Sequence, residues 1–299
     1  MERDILESKV ITIIGAGHMG QALVEGLLNS KEVKARNIIV SNPSKQKLSE
    51  ISKKFGVKVI TNNFKAVTKA SLIFIAVKPN KVKEVLMEIS KNVRNKIILS
   101  LAAAIDLEFI NSSLGGYNNK CIRLMPNLNL AINKGIIGFK ANKFVTELEK
   151  KKVISLLQKL GVVIECKLEK DFDYLTILAG CGPGLVAYLL ELFEKYYLSV
   201  SIDKNQLEKM IRQIFIGTLE YLNEKQLKVS SLKNSVATKG GVTETILSSL
   251  DNDNFQSFFH KSLDKGLYKL NELNENWGGG SKDKESINIA LFKLFQISW

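Results

Sequence analysis

Histidine is almost missing from this chain: among 299 residues there are two, His18 and His260. No cluster of metal ligands forms around either, so a metal site is not expected. Cysteine is scarce as well. Cys121, Cys166 and Cys181 show neither metal-ligand spacing nor the pattern of a secreted disulfide framework. Reduced thiols in a cytoplasmic protein are expected instead. Arginine is limited to Arg3, Arg36, Arg94, Arg123 and Arg212; the rest of the 43 basic residues are lysines, scattered along the chain. The net charge of +13 therefore reads as a solvated lysine surface that attracts anionic cofactors and substrates. No basic block with interleaved aromatics is present, so nucleic acid is not an expected partner. The opening Met-Glu-Arg-Asp-Ile-Leu-Glu is too acidic and too poor in apolar residues for a signal or transit peptide. Internal repeats and low-complexity tracts are lacking.

What is present is organised around Val10 to Leu23. A β-branched apolar run, Val10-Ile11-Thr12-Ile13-Ile14, stops at a glycine turn, and a helical pattern follows. Gly15, Gly17 and Gly20 give Gly-x-Gly-x-x-Gly in the strand–turn–helix context that a dinucleotide needs. Gly15 permits the sharp turn, Gly17 lets a pyrophosphate approach the backbone, and Gly20 lets the helix pack against the strand. The free N–H groups of the helix start then face the phosphates.

Strand and helix alternate through the first half. Strands are expected near 10–14, 37–40, 56–60, 72–77, 97–101, 121–125, 135–139 and 162–164. Helices are expected to about Ser30 and over 44–54, 82–89 and 147–160. This is the pattern of a Rossmann-like doubly wound sheet. After Glu165 the periodicity is helical, over about 171–200, 204–226, 243–250 and 254–275. The expected fold class is therefore α/β followed by an all-helical domain. Its divisions are a dinucleotide-binding domain over 1–165, a helical dimerisation and substrate domain over 166–275, and a tail over 276–299. Residues 274–281 read as a linker. Tyr174 to Leu190 carries no charge and nearly spans a bilayer in length. Its glycine turn and the following Glu191 favour a helix covered by another subunit, and no membrane partner is expected. Leu185, Val186, Leu189, Leu190 and Phe193 exceed what one small bundle needs, which points to an obligate homodimer.

The place after the second strand, where a carboxylate would grip the ribose of NAD, holds Ser41, Asn42 and Ser44 with Lys45 and Lys47 behind them. Neutral hydrogen-bonding groups and cations suit a 2′-phosphate, so NADPH is expected over NADH, with NADH possible as a second donor.

Several further stretches carry a resemblance. They are Ala76-Val77-Lys78-Pro79, Arg123-x-Met125-Pro126-Asn127, Asp173-x-x-Thr176, Gly180-x-Gly182-Pro183 and Gly240-Gly241-x-Thr243. Together with the glycine turn they resemble the pyrroline-5-carboxylate reductase family over roughly residues 9–273. The resemblance implies a Rossmann domain followed by a helical dimerisation domain, and dimers that stack into larger rings. It implies reduction of the cyclic imine 1-pyrroline-5-carboxylate to L-proline by NADPH or NADH. By motif, Gly15, Gly17, His18, Met19 and Gly20 would hold the pyrophosphate. Ser41, Asn42 and Asn63 would meet the adenosine end, and Ala76, Val77, Lys78 and Pro79 the ribose and nicotinamide. Thr238 and Thr243, flanking Gly240 and Gly241, would receive the substrate carboxylate at the catalytic loop, over a floor of Thr176, Gly182 and Pro183. A protonated imine is already an electrophile, so a chain without a strong acid can serve by positioning alone.

The chain departs from the family in its second half. Ala179-Gly180-Cys181-Gly182-Pro183-Gly184-Leu185 stands where the family usually has Ser-Gly-Ser-Gly-Pro-Ala-Tyr. Thr238-Lys239-Gly240-Gly241-Val242-Thr243 stands for Ser-Pro-Gly-Gly-Thr-Thr, and Met125-Pro126-Asn127-Leu128-Asn129 for Met-Pro-Asn-Thr-Pro. Two alternatives follow: a reductase for a different cyclic imine carboxylate, or a nucleotide-binding relative with impaired catalysis and a regulatory role. The β-hydroxyacid dehydrogenases, of similar layout, place a lysine on the long helix after the glycine turn. Here Leu185, Val186, Ala187 and Tyr188 follow Gly184, and no lysine comes before Lys195.

Overall fold

The computed structural model describes residues 10–197 and 201–277. Eight strands form one sheet: β1 (Val10–Ile14), β2 (Ile38–Ser41), β3 (Lys58–Ile60), β4 (Ala70–Ile75), β5 (Ile97–Ser100), β6 (Lys120–Pro126), β7 (Gly135–Ala141) and β8 (Gly161–Glu165). The order across the sheet is β3-β2-β1-β4-β5-β6-β7-β8. All neighbours are parallel except β6 and β7, which run antiparallel with Leu124 opposite Phe139. The connection between those two is short enough for an antiparallel return, through a 3-10 turn at Leu128–Ile132.

Helices cover both faces: α1 (His18–Asn29), α2 (Lys45–Phe55), α3 (Asn63–Ala66), α4 (Pro79–Ile89), α5 (Leu107–Ser113) and α6 (Glu147–Gln158). The burial follows. Ile11, Ile13, Val40, Leu72 and Phe74 pack with Leu23 and Leu27 of α1 in one layer. Ile14, Ile73, Ile75 and Ile98 pack with Val82, Leu86 and Ile89 of α4 in the other. Alternate residues of one strand thus serve opposite layers, as a sheet sandwiched between helices requires. The strand order reverses at β1/β4, and the crevice where such folds take ligands opens beyond the carboxyl ends of these two strands.

The sequence pattern located the eight strands and most of the longer helices to within a few residues. The expected strand over 56–60 starts later, at Lys58, because Gly56 caps α2 in the left-handed conformation at φ +66. The short helices α3 and α5 were not anticipated.

The chain divides into two compact units, the second being Cys181–Leu267. The long apolar run after β8 is not one α-helix. It is α7 (Asp171–Leu175), a π turn (Thr176–Gly180) and α8 (Gly182–Tyr196). Asp171–Tyr196 is long and apolar enough to cross a membrane by length and composition alone. The second unit continues with α9 (Lys204–Glu224), α10 (Val229–Val236), α11 (Val242–Asn252) and the start of α12 (Phe255–Trp277). α10 was not anticipated. α12 extends through the first residues of the expected linker; the remainder of that linker and the tail lie outside the described residues.

Within Cys181–Leu267 only Leu207 and Ile211 are fully buried among the described residues. Val186, Tyr188, Leu192 and Phe193 of α8 and Ile214, Ile216 and Leu219 of α9 stay exposed in the single chain. A shallow apolar cavity on this unit is lined by Leu185, Tyr188, Leu192, Phe255 and Phe258 among others.

Candidate dinucleotide site and substrate turn

The β1–α1 turn is built by three glycines under different constraints. Gly15 has φ +118, and its N–H donates to the Ser41 carbonyl at 2.8 Å. A Cβ there would lie 2.3 Å from the Ala76 carbonyl oxygen. Gly20 packs as closely: its Cβ would lie 2.1 Å from the Gly15 carbonyl oxygen. Gly17 is different. It precedes α1 with φ −79, which any residue can adopt, and a Cβ there would meet nothing within 4 Å. The protein itself supplies no steric reason for this glycine. The open surface over Gly17, at the N-terminus of a 12-residue helix with no acidic residue in its first turn, fits a pyrophosphate. His18 is exposed beside it and Met19 is half-buried.

Ser41 ends β2 and is fully buried; its hydroxyl donates to Asn63 Oδ1 at 2.7 Å. The Asn63 amide in turn donates to Glu88 at 2.7 Å. Asn42 accepts the Ser44 N–H at 2.9 Å, and Ser44 caps α2. Lys45 and Lys47 are exposed. No carboxylate ends β2 to repel a 2′-phosphate, so these residues fit the phosphorylated dinucleotide. Ala76 donates its N–H to Ile14, tying β4 to β1; Val77 is half-buried, Lys78 is exposed, and Pro79 opens α4 at its first turn. Thus these residues of the first half lie together around the crevice beyond β1, β2 and β4. Glu88 was not foreseen: it is 25 residues from Asn63, and spacing carries no hint of that bond.

Two other motifs meet in packing. Arg123 on β6 is 5% exposed, bonds Glu169 at 2.5 Å, and stacks on the Phe172 ring at 4.3 Å. Lys140 reaches the same Glu169 at 3.3 Å. Asp173 lies near this cluster and accepts from Asn274 at 3.2 Å. Burial pushes its carboxyl above the usual range, opposed by the Asn274 bond and by Arg123. Gly180 faces Met125, whose Cε would lie 2.6 Å from a Cβ there. Asn127 is buried and accepts the Ile136 N–H. Thr176 opens the π turn and donates its hydroxyl to the Phe172 carbonyl at 2.7 Å.

In the second unit, Gly182 and Pro183 start α8 half-buried. The 238–241 turn precedes α11. Gly241 donates its N–H to the Thr238 carbonyl at 2.9 Å, with Gly240 left-handed at φ +71. A Cβ on Gly241 would lie 2.5 Å from the Thr238 hydroxyl oxygen. Thr238 is exposed, and Thr243 is half-buried in the first turn of α11. The structure therefore groups Thr238, Gly240, Gly241 and Thr243 at one helix start. No group of three or more metal-ligating side chains occurs among the described residues.

The glycine cradle on a Rossmann-like sheet, followed by a helical unit, defines a nicotinamide-dinucleotide oxidoreductase fold. Comparisons with known proteins agree. Residues 10–104 match the family described as NADP oxidoreductase, coenzyme F420-dependent, and residues 169–273 match pyrroline-5-carboxylate reductase dimerisation. A pyrroline-5-carboxylate reductase of Staphylococcus epidermidis is 27% identical over 88% of this chain and 97% of its own length. The crystal structure of Plasmodium falciparum pyrroline carboxylate reductase with NADP bound superposes with a TM-score of 0.82 at 25% identity, covering 90% of this chain and 99% of that one. The Coxiella burnetii pyrroline-5-carboxylate reductase gives 0.79 at 27% identity, covering 89% and 99%. Over about nine-tenths of its length the chain is thus similar to pyrroline-5-carboxylate reductases.

Proposed function

We propose that this chain reduces the C=N bond of 1-pyrroline-5-carboxylate to give L-proline, with NADPH as the preferred donor and NADH as a second one. The observation that carries the reading is the open cradle over Gly17, in a chain whose full-length relatives bear this activity in their names. NADPH supplies the hydride. The protein's part is to bind and orient. Gly15, Gly17, His18, Met19 and Gly20 hold the pyrophosphate, by backbone N–H groups and the α1 dipole. Asn42 meets the adenosine end, with Ser41 and Asn63 fixing the floor beneath it through their mutual hydrogen bond. Ala76, Val77, Lys78 and Pro79 line the ribose and nicotinamide.

The substrate carboxylate is taken by the Gly240 and Gly241 backbone and the Thr238 and Thr243 hydroxyls, with Thr176, Gly182 and Pro183 shaping the floor. The imine nitrogen arrives protonated, so its carbon accepts hydride and the product amine needs no proton from a side chain during the transfer. Orientation is then the main contribution. α8 carries no histidine and no lysine before Lys195 in its last turn, which suits a reaction that needs no side-chain acid.

The exposed apolar faces of α8 and α9 support a homodimer; the stacking of dimers into larger rings rests on the resemblance alone. A cytoplasmic location suits three unpaired cysteines. The domains are assigned as 1–165 for the dinucleotide, 166–275 for dimerisation and substrate, and 276–299 as a tail.

The test is loss of NADPH absorbance on adding 1-pyrroline-5-carboxylate, with proline identified as product. A second reading rests on Lys239, Val242, Cys181 and Leu185 in the altered substrate segments: a nucleotide-binding relative without turnover. NADPH binding with no turnover of any cyclic imine carboxylate would select it.

A further inference from the structure

The turn before α11 already carries a carboxylate of its own. The Gly240 N–H donates to Glu244 Oε2 at 2.5 Å. Glu244 lies in the first turn of an 11-residue helix whose N-cap is Gly241. A glutamate at this helical position ordinarily reaches back to the N–H of the N-cap itself. Here that N–H is engaged by the Thr238 carbonyl at 2.9 Å. The glutamate therefore passes one residue further, to the N–H of left-handed Gly240. Glu244 is half-buried, while Thr238, Lys239 and Gly240 beside it are exposed. A tethered side chain thus occupies an exposed backbone donor with a negatively charged oxygen.

Resting on the reading above, that this turn receives the substrate carboxylate, we propose that Glu244 is a built-in competitor. It holds the Gly240 donor while the turn is free of ligand, and it swings away when the imine carboxylate binds. One N–H directed at one oxygen does not serve two carboxylates, and like charges brought this close repel. Because Glu244 is covalently tethered, its effective concentration at the donor is high, so stray monoanions are excluded. A substrate displaces it by adding the Thr238 and Thr243 hydroxyls to its contacts. Glu244 is then a specificity-determining residue that raises the substrate concentration needed for half-maximal rate without touching the hydride-transfer step.

The experiment compares wild type, Glu244→Ala and Glu244→Gln in steady-state turnover of 1-pyrroline-5-carboxylate at saturating NADPH, with thermal melting of each. The expected result is a KM lowered three- to tenfold in Glu244→Ala, a smaller drop in Glu244→Gln, and kcat within twofold for both. Inhibition by acetate should strengthen in the same order. Glu244→Gln keeps a neutral acceptor of equal length, so it tests the idea even where the alanine variant folds poorly. A KM that is unchanged or raised in both variants, with a lowered melting temperature, would mean that Glu244 only fastens the helix start, and would overturn the proposal. Absence of turnover in the wild type would instead overturn the functional reading, and this proposal with it.

Discussion

Gly17 and Gly20 sit three residues apart and answer to different neighbours. Gly20 is held by the backbone of Gly15, whereas Gly17 faces open space. Gly17→Glu should therefore fold normally, with a melting temperature close to that of the wild type. Its NADPH affinity should fall at least a hundredfold, since bulk and negative charge now meet the pyrophosphate. Fluorescence titration with NADPH checks the second point and circular dichroism the first. Thr243→Val should raise KM for 1-pyrroline-5-carboxylate about tenfold, the loss of one hydrogen bond to a charged group, while NADPH affinity stays within twofold. Steady-state kinetics with each ligand varied in turn separates the two. Ala104, in the loop after β5, holds φ +63, a left-handed conformation that costs an alanine about 1 kcal/mol. Ala104→Gly should raise stability by about 0.5 kcal/mol, after part of the relief is lost to the freer unfolded chain. Denaturant unfolding measures it.

Among the elements, α6 shows how local chemistry fixes an end. Thr146 and Glu149 form a reciprocal capping box, and Lys120 on β6 pairs with Glu149 at 2.6 Å. Burial works to raise the Glu149 carboxyl, but the bonds from Lys120 and Thr146 outweigh it and hold the group below its usual range. A carboxyl depressed in the folded state adds stability above its unfolded pKa, and that stability is lost as pH falls through the folded value. Glu149→Gln should thus destabilise the protein at pH 7, and its difference from wild type should shrink below about pH 4. Urea unfolding across pH 3–7 checks the sign. The box was readable as Thr-x-x-Glu. The π turn at Thr176–Gly180 was not: the glycines from Gly180 on mark a turn in the apolar run, but side-chain pattern does not tell a π turn from an α-helical one before them. α10 was missed for the opposite reason: Val229–Val236 holds three serines and an asparagine, so its helical pattern is faint.

For the whole molecule, the sheet was legible because buried parallel strands read as β-branched runs. The contacts that fasten distant segments were not. Arg123 and Glu169 are 46 residues apart, and Ser41 and Asn63 are 22 apart; no local periodicity marks either pair. Glu244 lay in plain view, but its neighbours' glycines and threonines carried the family likeness, and its bond depends on the turn. The largest global feature is the scarcity of buried side chains in Cys181–Leu267. A unit of that size that leaves its aromatic and aliphatic faces in water is not expected to hold together alone. Light scattering at micromolar concentration should give a dimer or a multiple of it, and the melting temperature should rise with protein concentration. Phe193→Glu should shift the species toward monomer and lower the melting temperature.

An interior completed by a second copy would also decide how a defect is shared. If each copy completes its neighbour's interior, a Gly17→Glu chain made alongside the wild type would still be drafted into mixed assemblies. The damaged partner keeps an intact turn at 238–243 and loses only its own dinucleotide cradle, so the mixed assembly loses that chain's share of proline-forming capacity and no more. Titrating mutant against wild-type gene dosage would reveal whether the copies work as independent labourers or as a crew.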